Sequence, residues 1–175
     1  MLYNEFEYEN TFINLLESEG WQYLSGKNIP RSSAREVIYF DDTEQFLRKT
    51  NPDFTAAEIL ELIDSVRLIG AASEFATLHK FHEKITNGIQ FTGQDGIAKI
   101  ISLIDFDNPK NNIFRVVNQL TVEYTNNGKT VERRPDILLY VNGIPLCVIE
   151  LKNGENKTIC KDGPVFRGDE IKWQI

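Results

Sequence analysis

Two short apolar runs, Ile137-Leu138-Leu139-Tyr140-Val141 and Leu146-Cys147-Val148-Ile149, joined by Asn142-Gly143-Ile144-Pro145, limit the fold of this chain more than any other feature. Runs this brief and this uniformly apolar read as β-strands covered on both faces. Such strands need a packed layer above the sheet and another below it. Charge appears only where the runs end: Asp136 opens the first, while Glu150 and Lys152 close the second. With 175 residues, the chain is long enough to bury a core of that kind as one domain.

Strand side chains alternate, so Glu150 and Lys152 share one face and Leu151 takes the other. Asp136 lies at the same end of the hairpin. A two-residue turn at Asn142-Gly143 would set Val141 against Ile144 and Asp136 against Ile149. Facing residues share a side, so Asp136 and Glu150 would then point to opposite faces. A three- or five-residue connection, or one β-bulge, brings them back together. The sequence therefore predicts an odd loop or a bulge in this hairpin.

Upstream, residues 1–95 read as helix-rich. Phe6, Phe12, Ile13, Leu15 and Leu16 form an apolar stripe that stops at Gly20. Residues 21–24 suggest a short strand, 25–35 a loop, and Val37 to Phe40 a second strand. Asp41 or Thr43 caps a short helix around 44–48. Thr55 followed by Glu58 makes a capping box, and Ile59, Leu62, Ile63, Val66 and Ile69 carry that helix to a break at Gly70. A further helix bears Phe75, Leu78, Phe81 and Ile85 and ends at Asn87-Gly88. Residues 97–152 read as the sheet core, with strands at 97–104, 114–124 and 129–132 before the central hairpin. Residues 153–175 form a polar tail that ends abruptly, as a fragment of a longer subunit would. The fold class expected is α/β, a central mixed sheet flanked by helices with a helical N-terminal portion.

Composition narrows the function classes. No apolar run approaches the ~20 residues that cross a bilayer, and the first residues, Met1-Leu2-Tyr3-Asn4-Glu5, lack a secretory pattern. Cys147 reads as a buried small hydrophobe and Cys160 has no evident partner. These features point to a cytoplasmic protein without a membrane role. A net charge of −7 argues mildly against a stand-alone DNA binder, since polyphosphate binding favours a basic excess. It suits carboxylates gathered for a cation, or a domain held on DNA by more basic parts.

The chemistry follows from the residue types. Mg²⁺ takes oxygen ligands, one or two of them carboxylates. Asp136 and Glu150 supply these, joined by the carbonyl of Ile149; Mn²⁺ can substitute. A bound divalent cation lowers the pKa of its water and offsets charge developing at phosphorus. Lys152 orients or deprotonates that water, or stabilises the phosphorane. Arg133 and Arg134 stand beside the site as DNA-binding candidates for phosphate contacts. Nothing resembles a groove-reading helix, so DNA would be held by its backbone.

Pro135-Asp136, then Glu150-Leu151-Lys152, resembles the PD-(D/E)xK nuclease motif. The wider block, Arg134-Pro135-Asp136-Ile137, Val141-Asn142-Gly143-Ile144-Pro145-Leu146 and Val148-Ile149-Glu150-Leu151-Lys152-Asn153, is similar to the N-terminal nuclease domain of the restriction (R) subunit of type I restriction-modification enzymes. Leu103 to Pro109, Asn112, Val117-Asn118-Gln119, and Glu9-Asn10-Thr11-Phe12 running into Gly20-Trp21 extend the resemblance. It implies a DNA endonuclease with a PD-(D/E)xK core, belonging to a longer subunit with an ATP-driven motor. The partners implied are methyltransferase (M) and specificity (S) subunits. No Gly-x-x-x-x-Gly-Lys-[Ser/Thr] loop is present, so ATP would serve only the full-length subunit. The resemblance also gives Glu9 as a helix carboxylate near the metal, and Gln174 as the first residue of a Gln-x-x-x-Tyr motif.

Blander readings stand beside these. The triplet Asp136, Glu150 and Lys152 also describes a surface ion-pair cluster, and Glu9 a solvated helix residue. Asp105 and Asp107, in Asp-Phe-Asp-Asn-Pro, read as Asx-type turns. His79 and His82, beside Glu83, read as solvated, and Gln119 as structural. Two other functions remain in view: a RecB-like repair nuclease using the same centre, and a catalytically idle docking domain of a DNA translocase.

Overall fold

The computed structural model describes residues 5–67, 74–126 and 128–151. Residues 68–73, where the break at Gly70 was expected, lie outside them, as do Cys160, Gln174 and the rest of the tail. The described residues form helices α1 (Glu5–Ser18), α2 (Phe40–Thr50), α3 (Ala56–Arg67) and α4 (Glu74–Asn87). The strands are β1 (Gln22–Ser25), β2 (Ile89–Thr92), β3 (Ala98–Ile101), β4 (Phe114–Asn118), β5 (Val122–Asn126), β6 (Lys129–Arg133), β7 (Ile137–Val141) and β8 (Ile144–Ile149). The principal sheet runs β1-β4-β7-β8. β1 pairs with β4 in parallel and the other pairs are antiparallel, which makes it mixed. This architecture is consistent with a restriction-endonuclease-like fold.

The sheet is covered on both faces, by different means. On one face Ile13 of α1, with Phe12 and Leu16, packs on Val116, Ile137, Leu139 and Ile149. On the other, Val117, Leu138 and Tyr140 are covered by Ile29, Tyr39, Leu120 and Val122. A third cluster joins α2 and α3 to Ile89, Phe91, Ile101, Leu103 and Ile144, with Phe81 and Ile85 of α4 packed against it. β7 is the central strand expected; β8 lies at the edge among the described residues. Cys147 is only partly buried, enough to push its thiol above the ordinary range.

The hairpin carries both features that its sequence poses against each other. Asn142 and Gly143 form a two-residue turn with φ of 51° and 78°, the type I′ geometry that suits strand twist. Val141 faces Ile144 and Tyr140 faces Pro145, but Leu139 faces Cys147, so Leu146 is an extra residue. Beyond this bulge Ile137 faces Ile149. The bulge thus shifts the parity of the ladder in the sense that a shared face for Asp136 and Glu150 requires.

Several local expectations change. The region 37–40 is not a strand. Tyr39 N–H donates to Gly143 O at 2.8 Å, and Val37 O accepts from the Tyr140 hydroxyl at 2.9 Å. Isolated bonds thus replace a ladder there, and α2 already begins at Phe40. The run 114–124 is two strands, because Gln119 takes a φ of 52° and ends β4. β3 stops at Ile101, while Leu103 and Ile104 are buried beyond it. β2, unforeseen, shows alternate burial at Ile89 and Phe91. In α1 the stripe is narrower than expected, since Phe6 and Leu15 are exposed. The Thr55–Glu58 capping box is present: Glu58 Oε2 accepts from Thr55 N–H at 2.8 Å and Thr55 Oγ1 accepts from Glu58 N–H at 3.3 Å.

The turn is buried and held from several directions. Asn142 is fully buried; its Oδ1 accepts from Ile113 N–H, and its Nδ2 donates to Leu103 O and Asn112 Oδ1. Thr43 Oγ1 donates to Asn142 O at 2.8 Å. At Gly143 a Cβ would overlap the carbonyl of Tyr39 as well as adopting an unfavourable φ. Gly143→Ala is therefore expected to cost at least about 2 kcal/mol, read as a lower denaturant midpoint. An unchanged midpoint would show that this contact does not constrain the hairpin.

Candidate functional site

Helix α1 sets one side of the site. Glu9, Ile13 and Leu16 fall at i, i+4 and i+7, one helical face. Ile13 and Leu16 pack on the sheet, which carries Glu9 inward, to 6% exposure. Its carboxylate there meets two amides from the end of β4. Asn118 Nδ2 donates to Glu9 Oε1 at 2.6 Å and Gln119 Nε2 to Glu9 Oε2 at 2.8 Å.

Asp136 comes from the start of β7. Its carbonyl accepts from Gln119 N–H at 3.0 Å. Its Oδ2 accepts from Leu151 N–H at 2.6 Å, which ties it to the strand end carrying Glu150. Its Oδ1 lies 3.5 Å from Gln119 Nε2, the same nitrogen that serves Glu9. One side-chain amide thus lies between two carboxylates from distant parts of the sequence. Ile149 ends β8, and Glu150, exposed, follows it, one residue beyond the last pair of the ladder, Ile137 with Ile149. Lys152 lies outside the described residues.

Electrostatics at this junction is one-sided. Among the described residues, neither Glu9 nor Asp136 forms an ion pair. A buried carboxylate normally needs a cation or several strong donors to offset lost hydration. Glu9 has two neutral amides. Among the described residues a largely buried ion pair stands elsewhere: Arg115 holds Asp42 by two bonds of 2.6 Å, and that hydrogen bonding keeps the guanidinium more basic than usual. Among the described residues no group of three or more His, Cys, Asp or Glu is arranged to hold a metal ion. The oxygens of Glu9 and Asp136 are of the kind Mg²⁺ prefers, and a buried acid without a cationic partner fits such an ion.

The other candidates divide. Arg133 and Arg134 are exposed just before Asp136, and the Arg133 Nε donates to the Tyr124 hydroxyl at 3.2 Å. Asp105 makes the expected turn: its carboxylate accepts from Asn111 Nδ2 and Asn108 N–H, each at 2.8 Å. Those bonds hold it below the ordinary carboxylate range. His79, His82 and Glu83 are exposed on α4. The sequence analysis placed Asn118 and Gln119 in the resemblance and read Gln119 as structural, without foreseeing that both amides meet Glu9. Their signal was two consecutive amides directly after the apolar Val116-Val117.

Comparison with known proteins adds an independent line. Residues 2–162 match the family described as type I restriction enzyme R protein N terminus. The chain is 31% identical over 161 residues to the type I restriction enzyme HindI endonuclease subunit of Haemophilus influenzae, covering 86% of this chain and 15% of that protein. It is 29% identical over 170 residues to a Methanocaldococcus jannaschii protein named, provisionally, type I restriction enzyme MjaIXP endonuclease subunit, covering 92% and 16% respectively. The chain thus spans less than a fifth of the length of these curated relatives.

Glu9, buried without an ion pair among the described residues, gives a direct test. In chelator, Glu9→Gln is expected to melt within about 1 kcal/mol of the unsubstituted protein, since an isosteric amide removes an uncompensated charge. With Mn²⁺ at a hundredfold excess over its Kd, the unsubstituted protein gains about 2.7 kcal/mol by mass action, and the variant gains far less. An equal Mn²⁺ shift in both, measured by thermal denaturation, would remove Glu9 from any cation site.

Proposed function

The chain belongs to the type I restriction enzyme R protein N-terminus family, and from that premise we propose that it is a DNA endonuclease domain that hydrolyses phosphodiester bonds with Mg²⁺. The observation that carries this reading is the convergence of Glu9 and Asp136, neither paired with a cation among the described residues, on the single amide of Gln119. The bulge at Leu146, which gives the ladder the parity that would let Asp136 and Glu150 share a face, supports it.

Each residue has a defined task. Leu151 N–H fixes Asp136 Oδ2, which leaves Oδ1 directed to the space shared with Glu9. Glu150 and the carbonyl of Ile149 complete the oxygen set at the strand end. Mg²⁺ in such a set supplies a more acidic water and relief of negative charge at phosphorus. Lys152, two residues beyond Glu150, is assigned the ammonium that orients or deprotonates the attacking water, or that stabilises the phosphorane. Arg133 and Arg134 hold backbone phosphates, contacts that position DNA without reading sequence.

Target choice then belongs to partners. We assign it to a specificity subunit, with a methyltransferase subunit and an ATP-driven motor elsewhere in the longer subunit, all in the cytoplasm. The net charge of −7 agrees with a domain whose hold on DNA comes largely from those parts.

The test uses the assembled enzyme and covalently closed DNA circles. Asp136→Ala is expected to slow cleavage by at least about a thousandfold, the scale for losing a group that stabilises transition-state charge, while the complex still assembles. Unchanged cutting, or loss of assembly alone, would overturn the proposal in favour of a docking role.

A further inference from the structure

We propose that Gln119 is a ligand residue of this site, whose side-chain amide turns over to offer its carbonyl oxygen as a further donor to a divalent cation held by Glu9 and Asp136. The inference rests on the metal-dependent reading above and extends it to a residue outside the acidic set.

Three observations carry it. Gln119 is held at a φ of 52°, a costly conformation for a residue with a side chain, of the kind that persists where its surroundings enforce it. The enforcing bond is its own N–H to the carbonyl of Asp136 at 3.0 Å, so the backbone of one site residue positions the other. From that anchor, Nε2 reaches Glu9 Oε2 at 2.8 Å and Asp136 Oδ1 at 3.5 Å.

Those distances suit an oxygen as well as they suit a nitrogen. Neighbouring oxygens around Mg²⁺, each about 2.1 Å from the ion, lie about 3 Å apart. The two ends of an amide are nearly isosteric, so half a turn about the terminal side-chain bond places Oε1 where Nε2 stands, with no backbone movement. Facing bare carboxylates, the N–H end is preferred. Facing a cation between them, that preference reverses.

Asn118 shows why Gln119 and not its neighbour has this part. Asn118 also donates to Glu9, but its Oδ1 accepts from the Tyr23 hydroxyl at 3.0 Å. Turning it would lose the bond to Glu9 and oblige the Tyr23 hydroxyl to reverse from donor to acceptor. Among the described residues no donor holds the Gln119 carbonyl oxygen, so inverting its amide gives up only the contacts that Nε2 makes with the two acids. An inverted Gln119 then adds one neutral oxygen to those that Glu9 and Asp136 offer.

The test is Mn²⁺ affinity, read from the free-ion electron paramagnetic resonance signal, together with thermal melting. Gln119→Leu is expected to weaken Mn²⁺ binding about tenfold, within the range for disturbing a metal site's supporting groups. Gln119→Glu, isosteric and so neither crowding nor opening the site, is expected to melt lower than the unsubstituted protein in chelator and to gain more from Mn²⁺. If Gln119→Leu folds and binds Mn²⁺ as tightly or more tightly, or if Gln119→Glu gains no more than the unsubstituted protein, the ligand role is wrong. If binding is lost in Asp136→Ala but intact in Gln119→Leu, the metal reading stands and this inference alone fails. If the unsubstituted protein takes up no Mn²⁺, the metal reading fails and takes this inference with it.

Discussion

The bonds that clamp Asn142 and Gly143 beneath α2 are the constraint on which the rest of the sheet depends. A two-residue turn fixes the first pairs of β7 and β8, and in an unbroken ladder it would separate Asp136 from Glu150. The extra residue at Leu146 changes the parity of everything beyond it. Pro145 stands next to that residue; lacking an N–H, it is tolerated at a bulge and poorly tolerated within a regular ladder. Turn and bulge together decide which face each charged residue at the strand ends occupies. The cost of the bulge is local, whereas its effect on side-chain direction reaches the end of the hairpin.

A second constraint lies across the sheet. α1 presents Glu9 on the same face as Ile13 and Leu16, so apolar packing carries a charge into a poorly hydrated place. The helix could have placed its acid outward, where Phe6 and Leu15 are exposed instead. An apolar pair in solvent and an acid under cover is the reverse of what stability alone selects. Departures of this kind concentrate at working sites. The strained φ of Gln119, at the contact between the two acids, belongs to the same pattern.

Much of this was legible in the sequence, for identifiable reasons. Strand alternation and turn chemistry depend on local rules, so the hairpin's parity problem could be posed from Asp136, Asn142-Gly143 and Glu150 alone. The Thr55–Glu58 cap was equally local. Glu9 came from a family resemblance, because no rule of spacing says which of several helix acids will be buried. The contacts of Gln119 were not legible, since they depend on a positive φ and on two partners far apart in the chain. Val37 to Phe40 read as a strand because β-branched and aromatic residues favour extended backbone; whether such a segment finds a ladder is settled by tertiary contacts. Ile89 and Phe91 did alternate, but four residues between a helix end and a glycine give periodicity little length to register.

The same turn has a bearing on the chemical ageing of the chain. In an Asn-Gly pair the glycine nitrogen can attack the preceding side-chain amide, expelling ammonia as a succinimide ring closes, and water then opens the ring to aspartate or isoaspartate. Here the Asn142 amide is bonded at both ends, to Ile113, Leu103 and Asn112, in a conformation closed to water. Ring closure therefore waits on local opening of the hairpin. The lifetime of this peptide bond is tied to the opening rate of the strands it joins, and a deamidated molecule would record an excursion from the native state.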